Sequence, residues 1–373
     1  MFKKTILISL IITNACISQN IDWAQQDLLF MHDAIRDNHP GMHNELDPNF
    51  KEHFSLHYQI AQNQLKTCTT DEQKVETIRS FIASFNDAHM QIRYKEFQTN
   101  STHQQAKRNS FAIADLDNSV CWITLPTFQP NAQEKESLQT IIDTLAQKQQ
   151  TFTSNDCIVF DIRGNGGGNS MFARDIVFAL FGQDYARYCA DTLYKDVLVD
   201  WRASQSNITY LKQVREKNSN DPQQVAFVQW LTHVIEGMQQ ALDESKPYFR
   251  QQNKTQLDDI QHPPVNPLKA RIIMIVDNRC FSAALDFIDY LKAMNHDVVL
   301  MGKTTGSDSL YMDINQSELP SKKGSFALPM KVYRNRIRGH NEPYAPDIIY
   351  QGNINDTIVL QQFVTKYIGG LHD

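Results

Sequence analysis

The sequence has little of what marks disordered, collagen-like or disulfide-knotted proteins. Its 373 residues include only 14 Gly, 13 Pro and 6 Cys, and 41% of them are hydrophobic. That composition is typical of a globular protein with room for a large core and more than one domain. Acidic side chains outnumber basic ones by 42 to 36, and the charges are spread along the chain rather than collected into runs. The sequence therefore argues against a nucleic-acid partner, which would select a basic surface.

The first 18 residues have the pattern of a secretory signal peptide. Lys3 and Lys4 precede an apolar run at residues 5–12, and small residues follow at Ala15 and Ser18. The run is too short to span a bilayer, so the pattern predicts export to the periplasm or the extracellular space.

Cys16 raises an alternative, a lipidated cysteine that would anchor the mature chain. Its neighbours Thr13 and Asn14 do not favour a lipoprotein signal, so we expect simple export. No later apolar stretch approaches the about 20 residues that a membrane helix needs. We therefore predict no integral membrane span.

Cysteine and histidine spacing gives no support for a disulfide framework, a metal site or a cofactor. The cysteines after residue 18 form no closely spaced pairs and no CxxC pattern. His53 and His57 stand four residues apart, but no HExxH motif occurs. Residues 302–304 (GKT) mimic the end of a phosphate loop, yet Asp297 stands where that loop needs glycine. We predict a protein without metal or cofactor.

Apolar periodicity divides the rest of the chain into two parts. Helical spacing predicts a helical N-terminal domain over residues 19–97, in which Thr70 and Gln73 suit a capping box. The polar stretch 98–109 has the composition of a loop or linker.

Residues 110–373 alternate short apolar runs with helical patterns, the rhythm of a layered α/β domain. Helical spacing inside residues 221–246 predicts a helical insertion over about residues 185–265. The predicted strands are 120–125, 157–162, 271–276 and 297–301, and the predicted helices beside them are 170–181 and 282–294.

A glycine-rich turn follows one predicted buried strand. Residues 161–169 (DIRGNGGGN) place four glycines before a predicted helix. Such a turn exposes backbone N–H groups at a helix N-terminus, which suits a phosphate, a carboxylate or the oxyanion of acyl transfer. Asn169 stands where a dinucleotide fingerprint needs its third glycine, and a merely structural tight turn is the alternative.

Ser282 stands at the start of the helix that follows strand 271–276. Taken alone, it is far better explained as an N-cap, although neighbouring N–H groups at such a position also suit a nucleophile. Two other segments carry groups that could assist a nucleophile, and each is by itself ordinary. They are residues 86–90 (NDAHM), with His89, and residues 340–347 (HNEPYAPD), with Glu342.

Taken in order, these segments resemble the motifs of one serine peptidase superfamily. It contains the tail-specific (C-terminal processing) proteases, tricorn protease and the retinoid-binding-protein-like repeats. Residues 161–168 resemble its "DLRxNxGG" turn, 282–286 its nucleophile turn, and 301–306 (MGKTTG) its "GxxTxG" turn. Residues 87–89 resemble its "DGHT" element and 342–347 its "ENxGxxPD" element, so the likeness covers roughly residues 25–365.

The resemblance implies a crotonase-like α/β core with a helical cap. It also implies that Ser282 is the nucleophile of a serine peptidase that forms an acyl-enzyme. The N–H of Ala283 and the backbone of Gly166 and Gly167 would then stabilise the oxyanion.

The resemblance also selects how the serine is activated. Tail-specific proteases carry a lysine directly after "GxxTxG", where this chain has Ser307, and Lys303 is a poor substitute. The tricorn-like members use a histidine and a glutamate, which correspond here to His89 as general base and Glu342 as orienting acid, directly or through another group. Such a pair would activate a serine hydroxyl as in a Ser-His-acid triad.

We therefore predict an exported serine peptidase that acts on peptides or proteins and is closest to the tricorn-like members that lack a PDZ domain. Two alternatives stay open, a catalytically silent member that binds a peptide or apolar ligand, and an esterase for small substrates. Ala88 and Met90 depart from the family pattern beside His89. The alternating arginines at 334, 336 and 338 are expected on a solvated strand face. The oligomeric state is left undetermined.

Overall fold

The computed structural model describes residues 22–97, 109–116, 119–152, 156–251, 257, 263–295 and 297–370. The predicted signal peptide with Cys16, and nearly all of the predicted linker, lie outside the described residues. The helices are α1 (Trp23–Asn38), α2 (Phe50–Leu65), α3 (Asp71–Ala83), α4 (Ala132–Lys148), α5 (Ser170–Phe181), α6 (Gln183–Tyr194), α7 (Gln205–Asn218), α8 (Val225–Asp243), α9 (Ala283–Met294) and α10 (Thr357–Gly369). The strands are β1 (Gln91–Tyr94), β2 (Ala112–Leu116), β3 (Val120–Thr124), β4 (Cys157–Asp161), β5 (Leu198–Arg202), β6 (Tyr248–Gln251), β7 (Arg271–Val276), β8 (Val299–Gly302), β9 (Tyr311–Glu318), β10 (Gly324–Arg334) and β11 (Ile348–Ile349).

A six-stranded sheet of order β11-β8-β7-β4-β3-β2 forms the centre of the predicted α/β core. All its neighbouring strands run parallel except β2, which is antiparallel to β3. Parallel strands are joined by crossover helices, so both faces of such a sheet are covered. The layered α/β fold predicted from the sequence is therefore confirmed.

Alternation along β4 shows how the two faces of this sheet are used. Ile158 and Phe160 point into a core shared with α4, α5, α6 and α9. Cys157 and Val159 point to the other face, where α10 packs. All four side chains are buried, which is the pattern of a strand covered on both sides.

A second, antiparallel sheet is built around the long strand β10. It contains β1, β5, β6 and β9, and β10 pairs with β1 through residues 324–327 and with β5 through residues 331–334. The segment predicted as a helical insertion contains α6, α7 and α8 and also the strands β5 and β6 of this sheet. Strand pairing therefore anchors the insertion to β10.

The N-terminal helices pack against this second sheet. Their buried side chains, among them Leu28, Met31 and Ile78, share one core with Phe326 and Leu328 of β10. The predicted capping box at the start of α3 is present, because Thr70 accepts the Gln73 N–H and Gln73 reaches back to the Thr70 backbone. The predicted end of the N-terminal domain at residue 97 therefore separates segments whose side chains share one hydrophobic core.

Among the described residues, no helix is both long and apolar enough to cross a membrane.

Candidate active site

Ser282 occupies the turn between β7 and α9 in a conformation that is rare for a residue with a side chain. Its φ is +55° and its ψ is −122°, and it precedes the first helical residue. Its hydroxyl makes no capping hydrogen bond to α9, which an ordinary N-cap serine would make. A strained, non-glycine backbone that forms no cap is a feature of functional sites, and the surrounding structure must hold it in place.

The glycine turn lies directly beside this serine. A Cβ on Gly167 would come within 2.6 Å of the Phe281 carbonyl oxygen, 2.8 Å of Ser282 Cβ and 2.9 Å of the Ala283 nitrogen. Gly167 also has a φ of +87°, which favours glycine. Glycine at this position therefore lets the glycine turn approach Ser282 and the Ala283 nitrogen so closely that no side chain would fit between them.

The three predicted oxyanion donors differ in their availability. The N–H groups of Ala283 and Gly166 have no hydrogen bond among those of the described residues. The Gly167 N–H instead donates to Asn165 Oδ1 over 3.0 Å, so Gly167 is less suited to be a donor than the sequence suggested. Its contribution is to let the two turns approach each other closely.

Neighbouring parallel strands bring the two turns together. β4 ends in the glycine turn and β7 ends in the serine turn, and these strands are adjacent. Across the junction, the Phe281 N–H donates to the Asn165 carbonyl over 3.1 Å, and the Cys280 thiol donates to the Ile162 carbonyl over 3.1 Å. Burial raises the pKa of this thiol well above its usual value, so Cys280 is a packing residue.

His89 follows α3 and reaches the serine turn from the second sheet. Its imidazole packs against the Phe281 ring, with 4.9 Å between ring centroids, so it lies beside the residue that precedes Ser282. The backbone there is fixed by Asp87, whose Oδ1 accepts the His89 N–H over 2.9 Å. Two residues further on, β1 begins and pairs with β10.

The two nitrogens of His89 have different surroundings. Nδ1 is buried without a hydrogen bond and lies 3.8 Å from Asp87 Oδ1. The side chain keeps 10% exposure, which belongs to the other ring atoms. Nε2 is thus the nitrogen that can face a substrate.

Glu342 is not brought against His89 by any contact that the structure describes. Its side chain is exposed, and its Oε2 accepts the Gly339 N–H over 2.7 Å. The segment does reach the histidine loop through the next residue, because Asn341 Nδ2 donates to the Asn86 carbonyl over 2.7 Å. Lys303, the other candidate base, is exposed.

A buried ionic cluster beneath α9 was missed from the sequence, and the expectation of a solvated arginine face is wrong. The side chains of Arg336 and Arg338 are only 4% and 2% exposed. Both bind Asp286, which stands one helical turn after Ser282. The physical reason is that β10 ends at Arg334, after which the chain turns beneath α9 instead of continuing as a strand.

Asp289 and Asp308 complete this cluster by pairing with Arg338. Burial raises the pKa of both carboxyl groups, while the arginines act in the opposite direction. His89, when protonated, would also lower the pKa of Asp308, which places the cluster near the histidine. The sequence did show Asp286 one helical turn after the candidate nucleophile, which was the available signal for this cluster. Its arginine partners could not be identified in the same way, because they lie about 50 residues away along the chain.

The two histidines spaced four residues apart lie side by side on α2. The rings of His53 and His57 are tilted against each other with 4.1 Å between their centroids. Within the described residues, no group of three or more His, Cys, Asp and Glu side chains could hold a metal ion.

Comparison with known families identifies the fold and the chemistry class. The model of peptidase family S41 matches residues 119–350, a range that contains the glycine turn, Ser282 and Glu342. The chain belongs to peptidase family S41. This S41 peptidase is accordingly a serine-type hydrolase of the superfamily that holds the tail-specific and tricorn-like proteases. His89 lies before the matched residues 119–350. Its proposed role as general base therefore depends on the contacts described above and not on the family match.

Solved structures similar to this S41 peptidase span nearly its whole length. Mature CPAF is 12% identical with a TM-score of 0.52, and the match covers 93% of this chain and 95% of CPAF. Mature CPAF complexed with lactacystin is 11% identical with a TM-score of 0.53, over 94% of this chain and 97% of that one. A lipoprotein from Streptococcus agalactiae is 13% identical with a TM-score of 0.46, over 94% and 97%. At these identities the CPAF structures show a shared fold alone. A search of curated proteins finds no match.

Proposed function

We propose that this chain hydrolyses peptide bonds through an acyl-enzyme on Ser282, with His89 as general base. The observation that carries the proposal is the geometry of the serine turn. Ser282 is held in a strained conformation, its hydroxyl makes no capping bond, and the N–H of the next residue, Ala283, has no described hydrogen bond. Such a site offers a nucleophile and an oxyanion donor within one residue of each other.

The reaction would proceed in two halves. His89 Nε2 takes the hydroxyl proton as Ser282 Oγ attacks the peptide carbonyl, and the same proton then passes to the leaving amine. The Ala283 and Gly166 N–H groups would stabilise the negative oxygen. In the second half, His89 deprotonates a water molecule that attacks the acyl-enzyme and releases the carboxylic acid, which restores Ser282.

Glu342 enters this scheme as an acid that acts on His89 indirectly, without contacting it. The described contacts support the indirect form of its predicted role, because its segment holds the histidine loop through Asn341 and Asn86. We therefore expect Glu342→Gln to lower kcat less than His89→Gln does. An equal loss in the two variants would favour direct pairing of Glu342 with His89.

Export is the second part of the proposal and rests on residues 1–18 alone. We propose that the mature chain acts outside the cytoplasm on peptides or proteins. Mass spectrometry of the N-terminus from the producing cell distinguishes the two forms: cleavage after Ala15 or Ser18 without lipid supports simple export, and a diacylglycerol on Cys16 would contradict it.

Fluorophosphonate labelling of the purified protein tests the nucleophile directly. We expect a single adduct that maps to Ser282 and is absent from Ser282→Ala, whose circular dichroism and melting temperature should match the wild type. Lactacystin, the compound complexed with CPAF in one similar structure, is a second probe. No labelling of folded protein would contradict the proposal and favour a silent, ligand-binding member.

Fluorogenic peptides and small esters then test the substrate class. Peptide turnover that is lost in Ser282→Ala supports the proposal. Turnover of esters alone would contradict peptide hydrolysis and favour the esterase alternative.

A further inference from the structure

Three neighbouring buried side chains at the proposed base each carry one polar atom without a hydrogen bond. These atoms are His39 Nε2, Asp87 Oδ2 and His89 Nδ1. His39 Nε2 lies 3.8 Å from Asp87 Oδ2, and His89 Nδ1 lies 3.8 Å from Asp87 Oδ1. Buried polar groups are nearly always hydrogen-bonded, so unpartnered atoms on three adjoining side chains call for an explanation.

The proton of His39 can be placed from its contacts. Its Nδ1 accepts the Gly41 N–H over 2.9 Å, so the proton of the neutral ring must be on Nε2. The ring is fully buried, stacked on Phe50 with 4.5 Å between centroids, and burial lowers the pKa of this imidazole. His39 is therefore a fixed donor whose Nε2–H is directed towards Asp87.

Asp87 is held in place by its own hydrogen bonds. Its Oδ1 accepts the His89 N–H and the Ser309 hydroxyl, each over 2.9 Å. The side chain is only 3% exposed, and its Oδ2 has no other partner. A carboxylate in this position can accept the Nδ1–H of His89 after a movement of about 1 Å.

The other acids near His89 are engaged elsewhere. Glu342 is exposed and accepts the Gly339 N–H. Asp308 is ion-paired with two arginines: its Oδ1 is bound to Arg338, and its Oδ2, which makes no hydrogen bond, lies 3.6 Å from Arg336 Nη1. Asp87 has a carboxylate oxygen 3.8 Å from the His89 ring and carries no ion pair with lysine or arginine among the described residues.

We propose that Asp87 is a positioning residue that holds His89 in its Nδ1–H form, and that His39 in turn fixes Asp87. The inference deepens the proposed function, since it assumes that His89 acts on Ser282. A carboxylate behind an imidazole fixes the tautomer and stabilises the imidazolium that forms during attack. Catalytic hydrogen bonds are often long without substrate and shorten in the substrate complex, which accounts for the two gaps of 3.8 Å.

Asp87→Asn tests the negative charge of Asp87 separately from the hydrogen bonds by which Asp87 holds the turn around His89. Asparagine keeps an oxygen for the His89 N–H and the Ser309 hydroxyl but has no anionic oxygen. We expect the fluorophosphonate inactivation rate constant, kinact, to fall about 100-fold or more, with the concentration for half-maximal rate changed less than threefold. A kinact within threefold of wild type would overturn the proposal.

Asp27→Asn is the matched control for this substitution. Asp27 is also buried and accepts hydrogen bonds from Ser321 and Tyr94, in a part of the N-terminal core without a described contact to His89. It should alter stability without altering kinact. An equal fall in kinact in both variants would assign the Asp87 effect to structure and contradict the proposal.

His39 is tested with two amides that mimic different ring nitrogens. Gln places its amide nitrogen near the position of Nε2, whereas Asn places its amide near Nδ1. We expect His39→Asn to lose about tenfold in kinact and His39→Gln to retain more activity at equal or lower stability. A lower kinact in His39→Gln than in His39→Asn would show that the Nδ1 contact with Gly41 matters and that the Nε2 contact with Asp87 does not.

Nitrogen-15 NMR of histidine-labelled full-length protein separates this inference from the proposed function. His89 should carry its proton on Nδ1 in the wild type and shift towards the Nε2–H form in Asp87→Asn, whether or not the protein labels with fluorophosphonate. Unchanged His89 shifts in Asp87→Asn would overturn the positioning role alone. Wild-type labelling in Ser282→Ala or His89→Gln would overturn the proposed function instead.

Discussion

Gly167→Ala tests the close approach of the glycine turn to Ser282. The added methyl would meet two backbone atoms and Ser282 Cβ at 2.6–2.9 Å, closer than real Cβ contacts allow. Because backbone atoms cannot rotate away, the glycine turn and the serine turn must move apart. That movement displaces the Gly166 N–H from Ser282 and the Ala283 N–H and weakens the proposed oxyanion interaction, so we expect kcat/KM to fall about 100- to 1000-fold.

The stability cost has two parts that a second glycine can separate. Alanine at a φ of +87° costs about 1–2 kcal/mol, and the overpacked contacts add about 1–3 kcal/mol. Gly164 has a φ of +75°, but its Cβ would meet only the Arg279 side chain, at 3.5 Å or more. Gly164→Ala should therefore show the first cost alone and keep its activity.

Urea unfolding and the rate of fluorophosphonate labelling measure both effects on the same samples. The expected pattern is a larger loss of stability in Gly167→Ala than in Gly164→Ala, with slow labelling in the former only. Wild-type labelling of Ser282 in folded Gly167→Ala would refute the claim that the close approach of the two turns is needed for catalysis.

Three further predictions concern stability. Arg338→Met leaves the carboxylates of the buried cluster without a main partner and should lower the free energy of unfolding by about 3–5 kcal/mol in urea titrations. The control Arg93→Met, at an exposed position, should change the free energy of unfolding little. Burial lowers the pKa of His39, so the unfolded chain binds a proton that the folded chain resists. Stability should therefore decline as pH falls below about 6.5, by at most about 1.4 kcal/mol per pH unit for this one proton, and the decline should be shallower in His39→Gln. Thr70→Ala removes one half of a capping box and should cost about 1 kcal/mol in thermal or urea unfolding, and an unchanged midpoint would contradict the role of the cap.

Local patterns predicted the elements of the parallel sheet well. The helix at 170–181 and the strand at 271–276 have the predicted bounds, because an amphipathic period and a short apolar run are properties of neighbouring residues. The turns that follow β4 and β7 were found for the same reason, since glycine and an N-terminal serine are local signals.

The second sheet could not be predicted in this way. β10 pairs with β1, which lies more than 200 residues earlier, and with β5, inside the segment predicted to be helical. The register of such pairs depends on the whole fold. The packing of His89 on Phe281 and the burial of Arg336 and Arg338 follow from that assembly, so the residues were visible in the sequence but their surroundings were not.

The pairing of β1 with β10 gives this peptidase a built-in order of assembly. On the roles proposed above, the general base is carried by an early segment and the nucleophile by a late one, and β10, which fixes the early segment, is synthesised after both. A chain that has not completed β10 carries Ser282 without a positioned base. Hydrolytic activity would thus begin only when the antiparallel sheet closes, so a nascent or partly folded copy could not digest its neighbours.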